Sequence, residues 1–168
     1  MLYIFSGLPG SGKTTLARAL ARTLGAAYLR IDSIENALAR CSLAIDPVED
    51  AGYAVAYALA GDNLRNGLSV VADSVNPLAV TRRAWQRIAR ETDSAYRAIE
   101  VVCSDPAIHR QRVETREADI EGMCLPTWAD VVRRDYDPWT EPRLRIDTAR
   151  ERPEACLASL LRRLGHSA

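Results

Sequence analysis

A single lysine occurs among 168 residues, against 21 arginines, and it stands in Gly7-Leu8-Pro9-Gly10-Ser11-Gly12-Lys13-Thr14. A segment of the form G-x-x-x-x-G-K-[ST] constrains the fold more than anything else in the chain, because it functions only as a turn between a buried strand and the start of a helix. Glycines at 7, 10 and 12 allow backbone angles closed to other residues, so successive N–H groups can turn inward around anionic oxygens. Lys13 brings a compact point charge to β- and γ-phosphates, and Thr14 brings a hydroxyl for Mg²⁺. The helix that follows aims its positive end at the same phosphates. The flanks agree with this reading. Leu2-Tyr3-Ile4-Phe5 precedes the loop, and Leu16, Ala19, Leu20 and Leu24 recur at helical spacing before Gly25 ends the run. Gly7, Gly10, Ser11, Gly12, Lys13, Thr14 and Thr15 are therefore the expected nucleotide-binding residues, with ATP and Mg²⁺ as cofactors.

Beyond the loop, apolar runs alternate with helical patterns, which predicts an α/β fold of three layers, a parallel sheet wrapped by crossover helices. Strands are expected at 2–6, 27–31, 69–73, 97–103 and 143–147. Helices are expected at 13–24, 33–41, 47–66, 78–92, 105–117, 127–135 and 151–164. Pro47, Pro77, Pro106 and Pro153 fall near helix starts, where a missing N–H costs little, and Asp46, Asn76 and Asp105 are candidate N-caps. No linker or repeat interrupts the pattern, so residues 1–168 read as one domain. Segment 118–126 reads either as a flexible cover over the nucleotide or as an ordinary surface loop.

Composition narrows the class. With 22 basic and 22 acidic residues the net charge is zero, and no bulk field favours nucleic acid or an anionic membrane. Cys41, Cys103, Cys124 and Cys156 form no C-x-x-C pair, so reduced and mostly buried thiols are expected rather than a zinc site. Met1 to Phe5 lacks the basic flank of a signal peptide, and nothing approaches the ~20 apolar residues of a membrane span. The expected location is cytoplasmic.

In a parallel sheet ligands bind beyond the carboxyl ends of the strands, which singles out Asp32, Asp73 and Asp147. Asp32 stands where a carboxylate can hold an acceptor hydroxyl in line with the γ-phosphate and take its proton, or else cap a helix beginning at Ser33. Asp73 is a candidate for the Mg²⁺ shell or for the acceptor, beside Thr14 as the direct metal ligand. Asp147 reads as structural or nucleotide-adjacent. The moving phosphoryl group needs positive charge, offered by Arg110, Arg112, Arg116, Arg133 and Arg134. Arg112 and Arg116 are four apart, hence expected on one helical face. Arg82 and Arg83 are candidates to clamp an anionic substrate group. Trp128 and Trp139 read as packing.

Gly7 to Thr14, then Ile31-Asp32-Ser33, then Val71-Ala72-Asp73-Ser74-Val75-Asn76-Pro77, then an arginine helix after Val101-Val102-Cys103, together resemble the small P-loop kinases. The relatives the chain looks most like are kinases related to chloramphenicol phosphotransferase, zeta toxins and the kinase domain of polynucleotide kinase. The resemblance implies a nucleoside-monophosphate-kinase-like P-loop NTPase fold, with a five-stranded parallel sheet and a mobile lid over about 110–135. It implies Asp32 as the acceptor-hydroxyl base, Lys13 at the transferring phosphate, and Arg112 and Arg116 as lid arginines. Polynucleotide kinases carry basic residues near the acceptor aspartate. Here Arg30 precedes Asp32 but none immediately follows it, which disfavours a nucleic-acid acceptor. Residues 33–66, alanine-rich with Tyr53, Tyr57 and Asn63, suit a small, partly apolar acceptor. The expected activity is transfer of the γ-phosphate of Mg·ATP to a hydroxyl of a small molecule, with Asp32, Asp73 and Arg82 as substrate contacts. The competing readings are a polynucleotide 5′-hydroxyl kinase and an ATP-dependent regulatory switch.

Overall fold

Leu2–Ser6 forms a strand, β1, buried at every position, and this two-sided burial dictates the architecture. Leu2 and Ile4 face one side while Tyr3 and Phe5 face the other, and all four are apolar, so helices must cover both faces. The computed structural model describes residues 1–42 and 47–166. Its elements follow in the order β1, α1 (Lys13–Leu24), β2 (Ala27–Arg30), α2 (Ile31–Ala39), α3 (Ala51–Arg65), β3 (Val70–Asp73), α4 (Ala79–Glu91), β4 (Tyr96–Val102), α5 (Pro106–Thr115), α6 (Trp128–Arg133), β5 (Leu144–Asp147) and α7 (Pro153–Leu164). The strands lie in the order β2-β3-β1-β4-β5 and every pairing is parallel.

Each face has its own core. On one, Leu16 and Leu20 of α1 and Leu160 and Leu161 of α7 pack on Tyr3, Phe5, Val71, Ile99 and Val101. On the other, Ala56 and Ala60 of α3 and Trp85 and Ala89 of α4 pack on Leu2, Ile4, Val70 and Ala72. Trp85 is wholly buried and meets Tyr57 edge-on at 4.6 Å, so its truncation to alanine would cost about 3–5 kcal/mol. Register sets up the site. Asp73 pairs with both Phe5 and Arg30, which brings the carboxyl ends of β1, β2 and β3 level with one another.

Several expectations shift, each for a physical reason. The second helix begins at Ile31 rather than Ser33, so Asp32 lies inside its first turn, with Arg30 at the N-cap position and no side-chain cap. The third helix starts at Ala51, because Glu49 has a φ of 48°, which a helix cannot continue through. Asp46, its expected cap, lies outside the described residues. Asp105 does cap α5, accepting from the N–H groups of Ala107 and Ile108 at 2.9 and 3.1 Å. Asn76 does not cap α4. Its side chain is buried and committed to Phe5 and Trp85, while the free N–H of Ala79 donates to Asp137 Oδ2 at 2.7 Å. The thiols are free but not mostly buried, since only Cys156 is enclosed and Cys124 is exposed. No helix among the described residues is long and apolar enough to cross a membrane.

Candidate active site

The turn from β1 into α1 is held open by close backbone approaches. A side chain at Gly7 would collide with the carbonyl of Val101 on β4, and one at Gly10, where φ is 81°, would meet Val113 and His109 of α5. The loop therefore lies flat against neighbouring elements and leaves its other side to a ligand. At its end Lys13 is buried and ion-paired with Asp73, whose side chain has no exposure. Tyr28 donates its hydroxyl to the other carboxylate oxygen of Asp73 at 2.6 Å. Burial works against ionisation of Asp73, yet the Lys13 ammonium and the hydrogen bonds from Lys13, Tyr28 and Thr14 hold its carboxyl below the usual range. The Tyr28 hydroxyl is pushed up, first by burial and then by the Asp73 charge, so it stays a donor. Asp73 sits behind Lys13 and is not among the residues that line the cleft.

That cleft has a volume of about 1060 Å³ and begins at Gly12, Lys13, Thr14 and Thr15. Asp32 lines it from α2, 3.6 Å from the Arg30 guanidinium. One turn on, at the i+3 spacing that keeps two side chains on one face, Glu35 lines it too. Glu35 lies across Gly52 of α3, where a Cβ would strike its chain. Burial, then repulsion from Asp32, raises its carboxyl above the usual value, with Arg134 opposing. Glu49 and Asp50 add two more carboxylates to the same end, interleaved with Tyr53, Pro77 and Leu78.

Residues 116–126 lie across this cleft, with Met123, Leu125 and Pro126 lining it. The segment is fastened by Asp119, which accepts from Arg18 at 2.8 Å and from both terminal nitrogens of Arg30 at 2.7 and 2.9 Å. Those hydrogen bonds, chiefly from Arg30, hold the Asp119 carboxyl well below the usual range. Glu121 fastens it again, its carbonyl accepting from Asn36 and Arg40 of the second helix region.

The two arginines expected in the lid reach the cleft, but not from one helical face. Helix α5 ends at Thr115, and Arg116 is already extended with φ −70° and ψ 144°, so the two do not share a helical face. Arg112 is bound to Thr148, through Oγ1 at 2.8 Å and the carbonyl at 2.9 Å, and Thr148 Oγ1 in turn donates to the Ser11 carbonyl at 2.8 Å. This chain lies along a second groove of about 200 Å³ that Gly12, Thr15, Leu16, Arg112, Thr148 and Pro153 line. Arg112 and Arg116 both line the main cleft; at Arg116 burial lowers the pKa and Asp32 opposes that shift. The Nε and Nη2 of Arg116 are buried with no hydrogen-bond partner among the described residues.

Other candidates fall elsewhere. Arg82, expected to clamp a substrate, does not line the cleft; it is buried, donates to the Asp137 carbonyl at 2.9 Å and lies 4.4 Å from the ring centre of Trp139. Arg83 is exposed on the same helix, and Arg110 is exposed and paired with Glu114 at 2.8 Å. Arg133 is exposed, whereas Arg134 lines the cleft. Asp147 accepts from the N–H groups of Ser104 and Ala149, each at 3.0 Å, and ties β5 to β4. Trp128 packs edge-on against His109, and Trp139 lies under Arg82 and Arg143. Glu35, Tyr28, His109, Asp119 and Thr148 are site residues that the sequence reading missed. Only Glu35 carried a usable signal, its i+3 spacing from Asp32.

Residues 2–126 match the family described as AAA domain. Two curated relatives carry the name "Probable adenylyl-sulfate kinase". That of Aeropyrum pernix is 27% identical over 85% of this chain and 80% of its own length. That of Pseudomonas aeruginosa is 28% identical over 96% of this chain and 76% of its own length. Among solved structures, Chaetomium thermophilum Kti12 in complex with ADP-AlF3 superposes with a TM-score of 0.72 at 20% identity, covering 98% of this chain and 97% of that one. The Mycobacterium tuberculosis APS kinase CysC in complex with AMPPNP and APS gives 0.64 at 19% identity, over 95% and 94% of the two chains.

Proposed function

We propose a reaction on the premise that this chain belongs to the AAA domain family and has the fold of the small P-loop kinases. The reaction is transfer of the γ-phosphate of ATP to a hydroxyl of a small-molecule acceptor. One observation carries it: Asp32 and the phosphate loop open into the same cleft, which residues 116–126 cover. The loop N–H groups and Lys13 take the phosphates, and the groove beside Arg112 takes the nucleoside. The acceptor hydroxyl lies against Asp32, which removes its proton as the oxygen bonds to phosphorus and the bond to ADP breaks. Arg116, with two buried nitrogens unpartnered, supplies charge to the transferring group.

The donor set fits Mg²⁺. Thr14 offers a hydroxyl on the cleft, with the enclosed Asp73 carboxylate behind it held by Lys13 and Tyr28, while no group of three or more His, Cys, Asp or Glu among the described residues could hold an ion. Mg²⁺ is commonly held in this way, by one or two protein oxygens plus phosphates and water, and it neutralises charge on the β- and γ-phosphates.

The acceptor end of the cleft disfavours a polynucleotide, because Asp32, Glu35, Glu49 and Asp50 would repel its phosphates. It favours a small, polyhydroxylated or basic acceptor with an apolar part for Tyr53 and Leu78. The test is ADP release from Mg·ATP against a panel of sugars, amino sugars, nucleosides, hydroxylated antibiotics, adenylyl sulfate and a 5′-hydroxyl oligonucleotide. Stimulation by a small neutral or basic alcohol is expected. Stimulation by the oligonucleotide alone, or by nothing in the panel, counts against this reading.

A further inference from the structure

His109 is buried on α5 and has no part in the reaction just described, yet its ring nitrogen Nε2 lies 2.8 Å from the carbonyl oxygen of Pro9, inside the phosphate loop. A carbonyl can only accept, so Nε2 must carry the proton. The ring is held from its other side by Trp128, edge-on at 5.2 Å with planes at 79°. Trp128 opens α6, fixed by a capping box in which Thr127 and Asp130 satisfy each other's backbone N–H groups. The imidazole thus stands between the loop and the helix that follows the cleft-covering segment.

The consequence follows from peptide geometry. In a trans peptide the C=O and the next N–H lie in one plane and point in opposite directions. Pinning the Pro9 carbonyl outward onto His109 therefore turns the Gly10 N–H inward. Gly10 has φ 81°, and its N–H finds no acceptor among the described residues. A side chain at Gly10 would meet Val113 and the His109 ring, so this peptide is seated on α5 as well as bonded to it.

We propose that His109 is a positioning residue that sets the orientation of the Pro9–Gly10 peptide, so that the Gly10 N–H is presented to a bound phosphate before the nucleotide arrives. It touches neither phosphate nor acceptor. Its contribution is to remove the cost of turning that peptide on binding. The effect depends only on phosphate binding, and stands whether or not Asp32 acts as a base.

The experiment measures the affinity of the full chain for ATP, for pyrophosphate and for adenosine, by competition with a fluorescent ATP analogue. His109→Leu keeps bulk but has no donor; His109→Gln keeps an N–H. In His109→Leu, ATP and pyrophosphate are expected to bind about fivefold more weakly, the factor one intramolecular hydrogen bond typically carries, while adenosine stays within about twofold. His109→Gln should restore most of the loss. Equal weakening of adenosine and pyrophosphate, or unchanged pyrophosphate binding in His109→Leu, would overturn the proposal. Should that variant fail to fold, nitrogen chemical shifts of the wild-type ring decide: Nε2 protonated is required, and Nε2 unprotonated refutes it.

Discussion

Replacing Asn76 with alanine should be among the most damaging single changes in this chain outside the large apolar side chains. The residue is fully buried, with φ 46°, a conformation asparagine tolerates and alanine does not. Its Oδ1 accepts from Trp85 Nε1 at 3.2 Å and its Nδ2 donates to the Phe5 carbonyl at 2.9 Å, so it joins α4 to the end of β1 where the phosphate loop departs. Alanine leaves the buried indole N–H without a partner, at about 1–3 kcal/mol. The left-handed backbone adds about 1–2 kcal/mol, giving roughly 2–5 kcal/mol together. Glycine loses the same hydrogen bonds but escapes the backbone cost. Urea unfolding followed by tryptophan fluorescence measures both variants, and at an m-value of about 2 kcal/mol/M the alanine midpoint falls by about 1–2.5 M. The reasoning fails if Asn76→Ala costs less than about 1 kcal/mol, or if Asn76→Gly is no more stable than Asn76→Ala.

Two further outcomes are expected. Glu35 has its carboxyl raised above 4.5 by burial and by Asp32, so the folded chain binds that proton more tightly than the unfolded chain. The stability it contributes is complete below about pH 4 and is lost as pH rises through the raised value, so Glu35→Gln should gain on the wild type as pH rises from about 4. Parallel stability curves for the two proteins would contradict this. Arg82→Lys should lower stability by about 1–3 kcal/mol, because it removes the stack on Trp139 and a bond to the Asp137 carbonyl, while leaving acceptor KM unchanged. A large rise in KM with unchanged stability would return Arg82 to the substrate.

What could be read from the sequence was local. The phosphate loop announces its own strand and helix, and the runs at Leu2 to Phe5 and Val70 to Ala72 are apolar on both faces, as central parallel strands must be. Arg82 shows what local reading misses. Next to Arg83 on the helix after Asp73 it reads as a clamp for an anionic substrate group, but Asp137 and Trp139 return 55 and 57 residues later to enclose it. Asn76 before a proline has the signature of a cap, yet its side chain is taken by Phe5, 71 residues away in sequence. Asp119 carries no periodicity or motif at all. Its role comes from Arg18 and Arg30, which the fold brings to it from two other elements. Helix boundaries mattered most at Arg116, where an end two residues earlier than expected takes it off the helical face of Arg112, although both line the main cleft.

The central claim is that Asp32 and the phosphate loop serve one transfer, and the most direct measurement follows label from γ-phosphate-labelled ATP into the acceptor that best stimulates turnover, with wild type and Asp32→Asn side by side. The asparagine variant keeps the shape of the side chain but cannot accept the proton. Transfer should fall by about 10²-fold or more, as loss of a general base does, with ATP affinity within about twofold. Equal transfer by the two proteins, or loss of ATP binding in Asp32→Asn that accounts for the whole effect, would contradict the account.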